Sequence, residues 1–168
     1  VVVEQRTGAS GFIAAEACSK AAPDGHTIFL APMALMTISP QMPGMKTPID
    51  PLKDLTPISN AGGIYNMLVS GQNVPFKTVP ELIAYAKKNP GKVDYGFTHA
   101  ASGHMAMELF KQTAGIYMTG IPYRGGGPMM TSILSNEIPL MFINQDVALQ
   151  HIKAGKLRPL AVSSAARN

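Results

Sequence analysis

The chain has 168 residues, with 14 Lys and Arg against 10 Asp and Glu and a formal net charge of +4. Charged residues are only 14% and hydrophobic residues 46%, which excludes intrinsic disorder, because there is enough apolar surface to offset the entropy of ordering. A single cysteine, Cys18, excludes a disulfide scaffold; no apolar run approaches the ~20 residues that cross a bilayer, and scattered Lys and Arg make a poor nucleic-acid surface. The length fits one domain or two small ones.

The chain opens on Val1, Val2 and Val3 without an initiator Met. Residues 1–4 therefore read as a buried strand in the middle of a folded unit, and the sequence as a processed or truncated piece of a longer protein whose secretory signal is not visible. Gly8 and Gly11 mark a turn, and 12–22 reads as an Ala-rich helix stopped by Pro23, Asp24 and Gly25. On that helix, Cys18 reads as a buried, inert thiol. Residues 27–31 read as a second strand. Seven Pro and Gly residues then punctuate 32–57, which reads as a long irregular stretch of the functional or linking kind.

From there the pattern becomes regular. Residues 65–70 read as a strand. Thr78 and Glu81 have the spacing of a capping box, and the helix they open ends in Lys87 and Lys88 before Asn89, Pro90 and Gly91. Strands are expected at 93–97, 117–121, 138–143 and 157–162. Between them, helices are expected over 103–114, from about Pro128, and over 146–154 with Asp146 as its cap. This β-α-β-α-β-α-β order, with short loops between apolar strands, predicts an α/β fold built on a parallel sheet.

In open parallel sheets ligands bind outside the carboxyl ends of the strands. Those ends are the loops 98–103, 122–127 and 144–146. Each leads into a helix start, where first-turn N–H groups lack partners and the helix dipole is positive. Ser102, Gly103 and Gly125, with Gly126 and Gly127, are small enough to let an anion approach the backbone, so a carboxylate or phosphate site is physically reasonable there. The plain alternative is that such loops need glycines and caps in any case.

Several other chemistries are poorly supported. The Arg124 to Gly127 run lacks the G-x-x-x-x-G-K-[ST] pattern of a phosphate loop, and 8–11 is not G-x-G-x-x-G. Ser102 and His104 lie close in sequence, but no nucleophile elbow surrounds Ser102. His99 and His104 have no acidic or Cys companions at metal-ligand spacing, so neither a metal nor a cofactor is expected.

The segment VVVEQRTGASGFIAAEACSKAAPDGHTIFLA resembles the opening block of the tripartite tricarboxylate transporter substrate-binding proteins, the Bug family. The resemblance continues through 50–55, 79–86, 103–110, 121–125 and 151–158, in the family's order and over essentially the whole chain. It implies a periplasmic binding protein-like (type II) fold of two α/β lobes, with parallel-type sheets and flanking helices. Residues 1–67 form an incomplete first lobe that 163–168 re-enter, and 68–162 the second. The family's opening strand and C-terminal portion have no counterpart in the sequence.

The resemblance further implies an extracytoplasmic, periplasmic receptor that captures a small organic carboxylate between its lobes for membrane transporter subunits. Catalysis, nucleic-acid binding and direct membrane insertion are not implied. Met33 and Ala34 correspond to a first-lobe pocket loop. Ser102, Gly103 and His104 correspond to the ligand-facing helix start, and Tyr123 to Gly125 to a P-Y-[KR]-G loop. Asn144 and Asp146 complete the rim. Ile143 stands where many members carry Asp, which, with Met33 and Leu35, points to a less polar acid. Two rivals remain at this stage: an α/β enzyme using Ser102 and His104, and a solute-sensing module for a signalling partner.

Overall fold

The structure, a computed structural model, describes residues 1–6 and 8–164. The chain divides into two compact units, Val1–Ala61 and Gly62–Asn168. The expected return of 163–168 to the first lobe falls largely on residues outside those described.

In the first unit a 3₁₀ turn at Ala9–Gly11 leads into helix α1 (Phe12–Ser19). The stretch expected to be irregular contains a short helix, α2 (Met33–Thr37), and a second 3₁₀ turn at Ser39–Gln41. Phe12, Ala15, Leu35 and Ile49 form the core, with Phe29, Met36, Met45 and Leu55 packed against it. Neither 1–4 nor 27–31 is a strand. Val1, Val2 and Val3 are exposed, as are Ile28 and Leu30. Strand propensity expresses a fit to a pleated, half-buried surface, and these segments have no ladder partner among the described residues. Cys18 is half-buried rather than buried, with its sulfur 3.9 Å from the Thr27 carbonyl oxygen.

The second unit alternates strands and helices. They are β1 (Asn66–Ser70), α3 (Val79–Lys88), β2 (Asp94–Phe97), α4 (Ser102–Ala114), β3 (Thr119–Pro122), α5 (Gly126–Leu134), β4 (Leu140–Asn144), α6 (Gln145–Lys153) and β5 (Arg158–Val162). The sheet order is β3-β2-β4-β1-β5. Strand β2 pairs parallel with β3 and with β4, whereas β1 pairs antiparallel with β4 and with β5. The four strands of the expected parallel run therefore share one direction. Strand β1, expected as a strand but outside that run, runs the other way and is inserted between β4 and β5. Apolar patterning reports which face a strand buries but carries no information on its direction.

Alternation along the strands builds two cores. Leu68, Tyr95 and Leu140 pack on one face with Leu82 of α3 and Met107 of α4. Val69, Met141 and Ile143 pack on the other with Met129 and Ile133 of α5 and Ala148 of α6. The sheet is thus covered on both faces, as parallel strands require. The α3 cap forms with one change: Thr78 Oγ1 accepts from the Glu81 N–H at 3.4 Å, but the Glu81 carboxylate accepts from Lys77 N–H, one residue before the cap, at 2.7 Å. Helix α6 begins earlier than expected, so its cap position is Asn144 and Asp146 lies in the first turn.

Helix α4 lies so close to β4 that only glycine fits at its second position. A Cβ on Gly103 would stand 2.8 Å from the Phe142 carbonyl oxygen, whereas one on Gly127 at the start of α5 would meet nothing within 4 Å. Backbone cannot rotate out of the way as a side chain can. Gly103→Ala is therefore expected to cost about 1–2 kcal/mol, because overpacking outweighs the gain in helix propensity. Gly127→Ala should range from neutral to about 1 kcal/mol stabilising. Urea titration of the two variants checks the contrast.

Candidate functional site

Because β2, β3 and β4 share one direction, the helices that follow them all begin at one sheet edge. Their starts line a single cleft of about 310 Å³. Ala101, Ser102, Gly103 and His104 come from α4 and its cap, Gly125, Gly126 and Gly127 from α5, and Asn144 and Val147 from α6. No side chain caps any of these three helices, whereas α3, which is not part of the cleft, has its Thr78 cap. The first amides of a helix have no intrahelical acceptor. The Gln145 N–H is taken by the Tyr65 carbonyl and the His104 N–H by the Ala101 carbonyl. First-turn amides with no capping side chain from three helices are thus gathered at one place, each with the positive end of its helix dipole.

Strand β1 reaches the same edge from the opposite direction. Its first residue, Asn66, is paired in register with Asn144, the last of β4. Asn66 is 9% exposed and lines the cleft. Its side-chain Nδ2 donates to Ser102 Oγ at 3.1 Å, and its backbone N–H donates to Ser163 Oγ at 2.9 Å. Two residues before α4, Ala100 is buried with φ +57°. A non-glycine residue in this left-handed region stores strain, and such strain gathers at binding sites.

His104 forms part of the wall. Its ring stacks on Phe97 at 4.2 Å between centroids and lies 5.8 Å from the His99 ring. Its Nε2 is 4.0 Å from Glu108 Oε1, and its buried Nδ1 has no hydrogen-bond partner among the described residues. Behind it, Lys111 Nζ donates to Glu108 at 2.8 and 3.0 Å, and the Tyr95 hydroxyl also donates to Glu108. Burial pushes the His104 pKa below the ordinary imidazole value; Glu108 opposes this, while His99 and Lys111 add to it. For Glu108, burial acts upward but is outweighed by the hydrogen bonds from Lys111 and Tyr95, so its carboxyl lies below the usual range.

Of the residues expected in the site, Ser102, Gly103, His104, Gly125 and Asn144 line the cleft together. Tyr123 does not. It is half-buried against the α5 core, and its N–H donates to the Phe97 carbonyl at 2.8 Å. Asp146 is exposed on α6, outside the lining. Met33 and Ala34 belong to the first unit, where Met33 opens α2 and is exposed. Sequence reasoning misses Asn66, Met129, Phe142 and Val147. For Asn66 a signal existed: an amide heading an otherwise apolar strand.

The whole chain, residues 1–168, matches the family described as "Tripartite tricarboxylate transporter family receptor". The chain belongs to that family. It is 34% identical over 174 residues to Protein BugT of Bordetella pertussis, covering 100% of this chain and 52% of that protein. A solved structure titled "R. palustris Rpa4515 with adipate" superposes with TM-score 0.94 at 31% identity, covering 99% of this chain and 56% of the other. The periplasmic binding protein BugD superposes with TM-score 0.86 at 28% identity, with coverage of 99% and 56%. The chain spans about half the length of the curated relatives it matches. No helix among its described residues is long and apolar enough to cross a membrane.

A depressed imidazole pKa fixes the sign of one pH effect. Below about pH 6.5 the unfolded chain takes up a proton that folded His104 resists, so stability falls as pH drops through that value. The Glu108 contribution is present above the unfolded carboxyl pKa and is lost only as pH falls further, through its depressed folded value. Between pH 7.5 and 5.5 the loss therefore belongs to His104. Thermal melts of His104→Gln should show a flatter profile over that window than the parent; an equal slope would contradict the assignment.

Proposed function

We propose that the chain is the ligand-binding part of an extracytoplasmic, periplasmic solute receptor that captures a small organic carboxylate for the membrane subunits of a tripartite tricarboxylate-type transporter, without altering it. One observation carries this reading: three helix starts that no side chain caps converge on one cleft. Oriented amides there meet an anion without bringing a mobile counter-charge. Family membership supports the transport role. The adipate named for the R. palustris structure supports the carboxylate class, and the periplasmic title of BugD supports the compartment.

In this reading Ser102 and Gly103, with Gly125 and Asn144, present the amide edge, while Asn66 and His104 supply polar side-chain atoms. Tyr123 and Asp146 flank that edge. Met33 and Ala34, in the first unit, remain expected ligand contacts of the same proposal. The enzyme alternative is not favoured, because Ser102 Oγ is bonded to the Asn66 amide and the His104 ring is packed on Phe97. A solute-sensing role uses the same cleft and differs only in the partner that receives the closed form.

Val147 offers a direct test. It lies in the first turn of α6, is 43% exposed and lines the cleft. An Asp there favours the helix through the dipole but brings a negative charge into the cleft, where it repels the ligand's carboxylate. In full-length protein, Val147→Asp is expected to leave the melting temperature unchanged or raised and to weaken binding of any carboxylate at least ten-fold by calorimetry. Undiminished binding would remove the cleft from the account.

A further inference from the structure

The polar side chains of the cleft, Asn66, Thr98, Ser102, His104 and Asn144, belong to the helix starts and to the strand ends beside them. Beyond the helix starts its wall is apolar. Met129 and Ile143 are 4% and 6% exposed, Phe142 is half-buried and Val147 stands at the rim. Two of the polar side chains of the lining, Asn66 and Ser102, are already hydrogen-bonded to each other. Among the lining residues there is no Asp, Glu, Lys, Arg or Tyr, and the single titratable group is His104. A buried polar or charged group without a partner is strongly disfavoured, whereas a methylene against the same wall is favoured.

We infer that the ligand is asymmetric against this unit: a carboxylate on the amide edge and, next to it, an unsubstituted hydrocarbon body lying on Met129, Phe142, Ile143 and Val147. The inference rests on the carboxylate reading above and narrows it to a class. It separates acids with a plain methylene or ring body from hydroxy acids and citrate-like tricarboxylates, whose extra oxygens would lie on that wall without donors. Any further carboxylate at the far end of the body lies beyond this unit.

Matched probes test this in full-length protein. Butanoate and hexanoate differ by two methylenes, while succinate, malate and tartrate differ only by hydroxyl groups; citrate adds a third carboxylate. A fully buried methylene corresponds to about four-fold in affinity, so hexanoate is expected to bind about ten-fold more tightly than butanoate by calorimetry. Affinity should fall from succinate to malate to tartrate, with citrate weakest. Val147→Ser, at a partly exposed position, should reduce the hexanoate advantage with an unchanged melting temperature. Malate, tartrate or citrate binding more tightly than succinate would overturn this inference and leave the carboxylate reading standing. A hexanoate advantage unmoved by Val147→Ser would also overturn it, since the body would then lie elsewhere. If none of the acids binds, both readings fall.

Discussion

Strand direction is the constraint on which the rest depends. Three strands running the same way oblige the helices after them to start at the same sheet edge, and a helix start is a cluster of amides with no acceptor in its own helix. A side chain can answer that need, as Thr78 does for α3. At α4, α5 and α6 none does. The fold thus keeps three sets of donors in one place. Close packing fixes the geometry: the α4 start rests on the β4 backbone at Phe142, with no room for a side chain at Gly103.

The electrostatics follow from the same arrangement. In the proposed reading the cleft holds an anion with fixed dipoles; no Lys or Arg is among its lining residues. Its imidazole is disposed toward neutrality by burial, and the nearby carboxylate of Glu108 is engaged by Lys111 and Tyr95. Oriented amides cost little reorganisation when a ligand arrives. For the proposed carboxylate ligand they demand little else, which leaves selection among acids to the shape and polarity of the remaining wall. Asn66 adds a second link, since its side chain reaches Ser102 in the cleft while its backbone is bonded to Ser163 beyond β5.

Much of the second unit was legible in the sequence, and most of the first was not. Regular punctuation by Thr78, Asn89, Gly115 and Gly155 marked helix ends, and apolar runs between them marked strands. Those signals are local, so the elements came out within one or two residues of their bounds. The insertion of β1 was not legible, because it depends on contacts between positions such as Asn66 and Asn144 that are far apart in the chain. Missing β1's direction also meant missing Asn66, whose place at the cleft exists only because that strand runs against its neighbours. In the first unit the β-branched segments at 1–4 and 27–31 look like strands by composition. A strand is completed by its partner, and no propensity supplies one. The loops that hold Ser102, Gly103, Gly125 and Asn144 were legible through a rule about sheet edges, while Tyr123 and Asp146 show that a loop's position does not say which way its side chains face.

The most direct test follows the amides themselves. Hydrogen exchange should be measured on full-length protein with and without the tightest-binding acid, at single-residue resolution over 102–103, 126–127 and 146–147. The account predicts that binding slows exchange at all three helix starts together, with α3's capped start unchanged. Protection at only one of them, or at none, would contradict it.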